Sequence, residues 1–193
     1  MTHEPVPIDS HSDVTGGHRF PGVVYKGEPW DLSHLDPFAF RAVLSDALSV
    51  DVVVLFSCHC FTHGRKRDER DDIPADEYFW EGNSLRILSP ERYHLSRQFL
   101  PEFIRQLGSR HIKVVGGAKP NFFSFETVDR DGRHVYYSVF FEVYKDARRK
   151  RRILLRVQTA YALDALTQRL ANARKVNLPV LLRAVYEGRP IRA

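Results

Sequence analysis

Cysteine is scarce: the 193 residues hold two, Cys58 and Cys60, with a single residue between them. Two cysteines cannot build a secreted disulfide framework, and the Cys-x-Cys spacing gives poor geometry for a bridge, so a reducing compartment is expected. Long apolar runs are missing too. No stretch reaches the roughly 18 apolar residues of a membrane span, and the opening segment "MTHEPVPIDSHSDVTGGHRFPG" lacks the apolar run of a targeting signal. Together these absences lead to the expectation of a cytoplasmic protein with no membrane partner, no internal repeats and no cofactor.

Charge is plentiful and unevenly placed. The formal net charge is +5. Between Lys145 and Arg156, seven bases (Lys145, Arg148, Arg149, Lys150, Arg151, Arg152 and Arg156) stand against one acid, Asp146, a local charge of +6 that leaves the rest of the chain near −1. Such a segment attracts phosphates with a steep salt dependence. The alternative is a solvated turn between two strands.

Residues 1–21 are rich in Pro, Gly, Ser, Asp and His without periodicity, which predicts a disordered tail ahead of one α+β domain over 22–193. A short strand is expected at Val23 to Tyr25, turns at Pro29 and Pro37, and a buried central strand from Val50 to Phe56 that continues to Cys60. "THGRKRDERDDIPADE" has the balanced charge of a mobile surface loop. Ser89 and Pro90 read as the cap and first residue of a helix carrying Leu95, Phe99, Leu100, Phe103, Ile104 and Leu107, and Pro101 predicts that it starts afresh near Ser96.

"NFFSFETV", "HVYYSVFFEVY" and "RILLRVQTAY" then form an antiparallel meander. Its middle strand sets Val135, Tyr137, Val139, Phe141 and Val143 on one face, with His134, Tyr136, Ser138, Phe140, Glu142 and Tyr144 on the other. From the next strand, either Arg156 and Gln158 or Thr159 and Tyr161 join the polar face, depending on register. Helices capped by Asp164 and Asn177 complete the chain, so helices cover one side of the sheet.

Three clusters carry chemistry. In "FSCHCFTHGRK", Cys58 and Cys60 read chiefly as small buried groups of the central strand. A zinc site would need Cys58, Cys60, His63 and a distant ligand such as His94 or His111, without the paired knuckles of structural zinc sites, so no metal is expected; His59 or His63 acting in catalysis or binding stays open. In "RYHLS", Arg92 and His94 at a helix start suit a phosphate, against a capped turn with Tyr93 in the core. The polar face of the meander offers His134, Glu142, Arg156, Thr159 and Tyr161 as catalytic groups. Metal-free RNA cleavage requires a base, a cation at the phosphate and an acid, and aromatic rings stack on nucleobases.

"YKGEPWDLSHLDPFAF", "VVLFSCHCFTHG", "RYHLSRQFLP" and "VFFEVY…LLRVQTAY" together resemble a family of uncharacterised bacterial proteins, from Tyr25 to about Arg192. More distantly, Asn121 to Tyr161 is similar to the nuclease superfamily of barnase, EndoU, colicins and RelE toxins. That likeness implies catalysis on the open sheet face through His134, Glu142, Arg156, Thr159 and Tyr161. The expectation is thus a metal-independent, toxin-like ribonuclease that binds RNA through Lys145, Arg148, Arg149, Lys150, Arg151 and Arg152. The alternative is a protein that binds nucleic acid or an acidic partner without catalysis.

Overall fold

The computed structural model describes residues 4–115, 121–130 and 133–191, with side chains described throughout except at 121–134. The chain begins with β1 (Glu4–Val6), a 3-10 turn at Ile8–His11 and the one-turn α1 (Ser12–Thr15), then a hairpin of β2 (Val23–Tyr25) and β3 (Glu28–Trp30). A longer hairpin, β4 (Phe38–Ser45) and β5 (Leu48–Phe56), is followed by a 3-10 turn at Cys58–Cys60, by β6 (Thr62–Gly64) and by the hairpin of β7 (Tyr78–Glu81) and β8 (Ser84–Leu88). Helix α2 (Pro90–Arg105) leads to β9 (His111–Val115), β10 (Asn121–Arg130), β11 (Arg133–Lys145) and β12 (Arg152–Leu163). Next come α3 (Gln168–Ala171), β13 (Arg174–Asn177) and α4 (Leu178–Tyr186).

The result is an α+β fold. Its main sheet has the order β1-β4-β5-β12-β11-β10-β9-β13, with β6-β8-β7 and β2-β3 as small satellites. The meander β10-β11-β12 is antiparallel as its alternation predicted, and β5 joins it parallel to β12, Asp51 beside Arg152 and Phe56 beside Val157. Burial on both faces explains the unbroken apolar run of β5: Val52, Val54 and Phe56 enter the main core with Tyr137, Phe141, Leu100 and Leu181, while Val53 and Leu55 belong to a second, smaller cluster. Helices α2 and α4 supply the other wall of the main core. Among the described residues, no helix is long and apolar enough to cross a membrane.

Tyr137 is fully buried, and among the described residues its hydroxyl has no hydrogen-bond partner. Removing an unpaired buried hydroxyl relieves its desolvation cost, so Tyr137→Phe is expected to leave stability unchanged or raise it by about 1 kcal/mol. A urea melt showing a clear loss would reveal a partner for that hydroxyl.

Several expectations are corrected. Residues 4–15 are an ordered strap: β1 pairs with β4, and Val6, Ile8 and Val14 cover Ala39, Val53, Leu55 and Leu154 on the face opposite the helices. Ion pairs hold it down where periodicity gave no signal. Asp13 takes two hydrogen bonds from Arg152, at 2.7 and 2.6 Å, and Arg149 reaches the Ser10 carbonyl at 2.7 Å. The charged segment after β6 is likewise tied, through His63, Asp68, Arg70, the buried Glu77 and Lys26. Helix α2 runs unbroken through Pro101, whose missing N–H would have met the carbonyl of the exposed Arg97, where water can serve instead. Ser89 caps α2 as predicted, accepting from the Arg92 N–H. Thr167 rather than Asp164 caps the next helix, which is a single turn because the chain returns to the sheet edge as β13.

Candidate functional site

One bulge decides what the meander presents. Glu142 pairs with Arg156 and Phe141 with Val157, but Phe140 pairs with Thr159, so Gln158 is the extra residue. The Ser57 hydroxyl pins it, donating to the Gln158 carbonyl at 2.5 Å. A regular strand would have placed either Arg156 or Thr159 and Tyr161 on the polar face. The bulge puts all three there, and the inward pairs Phe141–Val157 and Val139–Ala160 stay fully buried.

Just past the bulge, β5 ends while β12 continues, and side chains from the Cys58–Cys60 turn, α2 and the β7–β8 hairpin gather beside Thr159 and Tyr161 as a cluster termed the arginine crevice. The Cys58–Cys60 turn fills one side, capped by Ser57, whose hydroxyl accepts from the His59 N–H. Arg92, in the first turn of α2, crosses the crevice. Its Nη1 donates to the carbonyls of His59 and Thr62, both at 2.9 Å, and to Thr159 Oγ1 at 3.4 Å, with its guanidinium 4.9 Å from the centre of the Tyr161 ring. Arg67 lies over the same ring at 5.5 Å. The β7–β8 hairpin, which turns through Gly82 at a φ of +57°, forms the opposite wall. It contributes Glu81, at 3.1 Å from His59 Nε2, and Arg86, whose Nε donates to Thr62 Oγ1 at 2.7 Å.

The electrostatics favour an anion. Arg67 and Arg86 are near enough to perturb Arg92, and among the described residues none of the three forms an ion pair with a carboxylate. Burial, then Arg67 and Arg86, lowers the pKa of Arg92. Burial also lowers that of His59, helped by Arg86 and opposed by Glu81, so the imidazole is neutral at pH 7. Burial works against the charge of Glu81, but hydrogen bonds from Cys58 and His59 outweigh it and hold the carboxyl below its usual range.

Cys58, His59 and Glu81 also bring potential metal-ligating atoms within 4.8 Å of one another. Without a metal the thiol keeps its proton: burial and then Glu81 push its pKa up to about 12, with Arg86 close by. Among the described residues, the Cys58, Cys60 and His63 set that a zinc site would need does not come together. His63 is instead bonded to Asp68 at 3.1 Å, and Cys60 lies in the core.

The other predicted residues divide. Thr159 and Tyr161 line the crevice, and the half-buried Phe140 stacks on Tyr161 at 5.8 Å. Glu142 accepts from the Gln158 amide at 3.0 Å, and Arg156 stands opposite it with its Nε buried and without a partner among the described residues. The side chain of His134 lies outside the described residues.

The basic bend is at the far end of β12, roughly 23 Å from Thr159 at 3.3 Å per residue, and much of it is engaged. Arg152 is 1% exposed and bound to Asp13 and Asp146, so it has no surface to offer RNA. Arg148 and Arg149 hold the strap, and Lys145 donates to the Tyr186 carbonyl at 3.2 Å. Lys150 and Arg151 are exposed. In "RYHLS", Tyr93 stacks on Trp30 at 4.3 Å in the core while Arg92 alone reaches the crevice. Sequence reading missed Glu81, Arg86 and Arg67. The signal available for the first two was the Gly82–Asn83 turn between "YFWE" and "SLRIL", a hairpin signature.

Comparison with known proteins places the chain in one family. The YjaZ family matches residues 22–186, most of the chain, and the protein belongs to that family. No curated protein and no solved structure matches it.

Proposed function

We propose that this YjaZ-family chain is a metal-independent ribonuclease whose phosphate site is the arginine crevice at the end of β5. The reading rests chiefly on one observation: three guanidinium groups that have no carboxylate partner among the described residues converge beside a neutral histidine oriented by a carboxylate. The likeness of residues 121–161 to the barnase, EndoU, colicin and RelE superfamily is part of the same reading.

In the proposed reaction, His59 takes the proton of a ribose 2′-hydroxyl and the 2′-oxygen attacks phosphorus. Arg86 and Arg92 stabilise the pentacovalent phosphate. The bond to the 5′-oxygen breaks, leaving a 2′,3′-cyclic phosphate; the Tyr161 phenol protonates the departing oxygen, and through solvent His59 then releases its proton and the phenolate regains one. Arg156, roughly 10 Å along the strand from Thr159, is placed for a neighbouring phosphate.

The test is labelled RNA incubated in EDTA with the full chain and with Arg67→Ala and Arg86→Ala. Each variant is expected to cut cleavage by roughly tenfold or more, since each removes a charge-assisted contact to phosphate. Salt-sensitive binding without cleavage would replace the enzyme by the RNA-binding alternative. Absence of both would end the nucleic-acid reading.

A further inference from the structure

A second concave region lies away from the arginine crevice. It is a half-open groove of about 670 Å³ between the strap, the start of β4 and the last turn of α2, within the range of about 300–1,000 Å³ typical of small-molecule sites. Its two walls differ in kind. One is apolar, built by Val6 and Ile8 of the strap with Pro37 and Phe38. The other is polar and comes from one stretch of chain: Glu102, Arg105, Gln106 and Ser109.

Most of the polar wall is already satisfied. Glu102 accepts from the Gln106 amide at 2.6 Å, Gln106 in turn accepts from Arg110 at 2.7 Å, and the Ser109 hydroxyl donates to the Gln106 carbonyl at 2.9 Å. Arg105 differs. It is exposed, its guanidinium lies 5.0 Å from the centre of the Phe38 ring, and among the described residues it has no carboxylate partner. The groove therefore pairs an apolar wall with one uncommitted cation, while the one carboxylate among its described lining residues is bonded to an amide and sits near Arg110.

We infer that this groove binds an amphipathic monoanion with an aliphatic tail, of the fatty-carboxylate class. The head pairs with Arg105 and the tail lies along Val6, Ile8 and Pro37. An aromatic ligand fits less well, because Arg105 already covers the face of Phe38.

Calorimetric titration of the full chain with decanoate, decanol and decyltrimethylammonium tests this. Decanoate should bind saturably at one site, with decanol and the cation roughly tenfold weaker or worse, the difference a charge-assisted contact makes. Arg105→Glu should weaken decanoate at least as much, leave decanol unchanged and keep the melting curve, since Arg105 is exposed. Ile8→Asp should weaken all three ligands. Equal affinity for decanoate and decanol, an unaffected Arg105→Glu, or no saturable decanoate binding up to about 1 mM would overturn the assignment. None of these outcomes depends on whether the protein cleaves RNA.

Discussion

Arg152→Ala is expected to destabilise the protein by about 3–5 kcal/mol, the usual consequence of stranding one member of a buried ion pair. The Arg152 side chain is 1% exposed and Asp146 6% exposed; Nε donates to Asp146 at 2.5 Å and Nη2 pairs with both Asp146 and Asp13. Truncation leaves Asp146 with the Arg148 backbone N–H and little else. For a chain of this size, the loss should lower Tm by roughly 6–20 °C. Arg149→Ala is the control, because its side chain is 49% exposed and exposed ion pairs contribute about 0–1 kcal/mol. If denaturant melts showed the two variants alike, Arg152 would be a solvated surface charge and would return to the candidate RNA contacts.

Under the proposed ribonuclease reaction, His59→Ala carries the second large effect. Loss of a general base lowers rates by about 10²–10⁴-fold, and cleavage assayed on the full chain should fall within that span without a change in Tm comparable to that of Arg152→Ala. The pH profile adds a signature that a structural role would not give. Burial and Arg86 lower the pKa of His59, so the base is fully active above a midpoint lying below the ordinary 6.5, and activity is lost as pH falls through that midpoint. Glu81 raises the same pKa. Glu81→Gln should therefore move the acidic limb to still lower pH while reducing the maximal rate. A limb that stays in place in Glu81→Gln, or an active His59→Ala, would remove His59 from the reaction.

Much of the scaffold could be read from the chain. The apolar run of β5 reports burial on two faces, and the alternation in β11 reports a sheet with one covered side. What failed were features set by partners distant in sequence. Whether Arg156 or Thr159 faces outward could not be read from β12 alone, because the bulge depends on the Ser57 hydroxyl about a hundred positions earlier. The crevice draws His59, Arg67, Glu81, Arg86, Arg92, Thr159 and Tyr161 from separate elements, so no spacing motif announces it. "CHC" and "RYHLS" were each conspicuous, yet their significance lies in the Arg92–His59 contact that joins them. The run of bases misled because charge density alone does not distinguish guanidinium groups that face water from one buried between two aspartates.

The seam between β5 and β12 has a consequence for how the protein is made. Its two strands are about a hundred residues apart in the chain, so the β4–β5 hairpin leaves the ribosome with one edge and much of Val52–Phe56 uncovered. At about 5–20 residues per second, the nascent chain waits roughly 5–20 s for the strand that closes it. Holdase chaperones would find their target in that interval, and a stall in translation before Arg152 would leave an adhesive half-sheet in place of a folded intermediate.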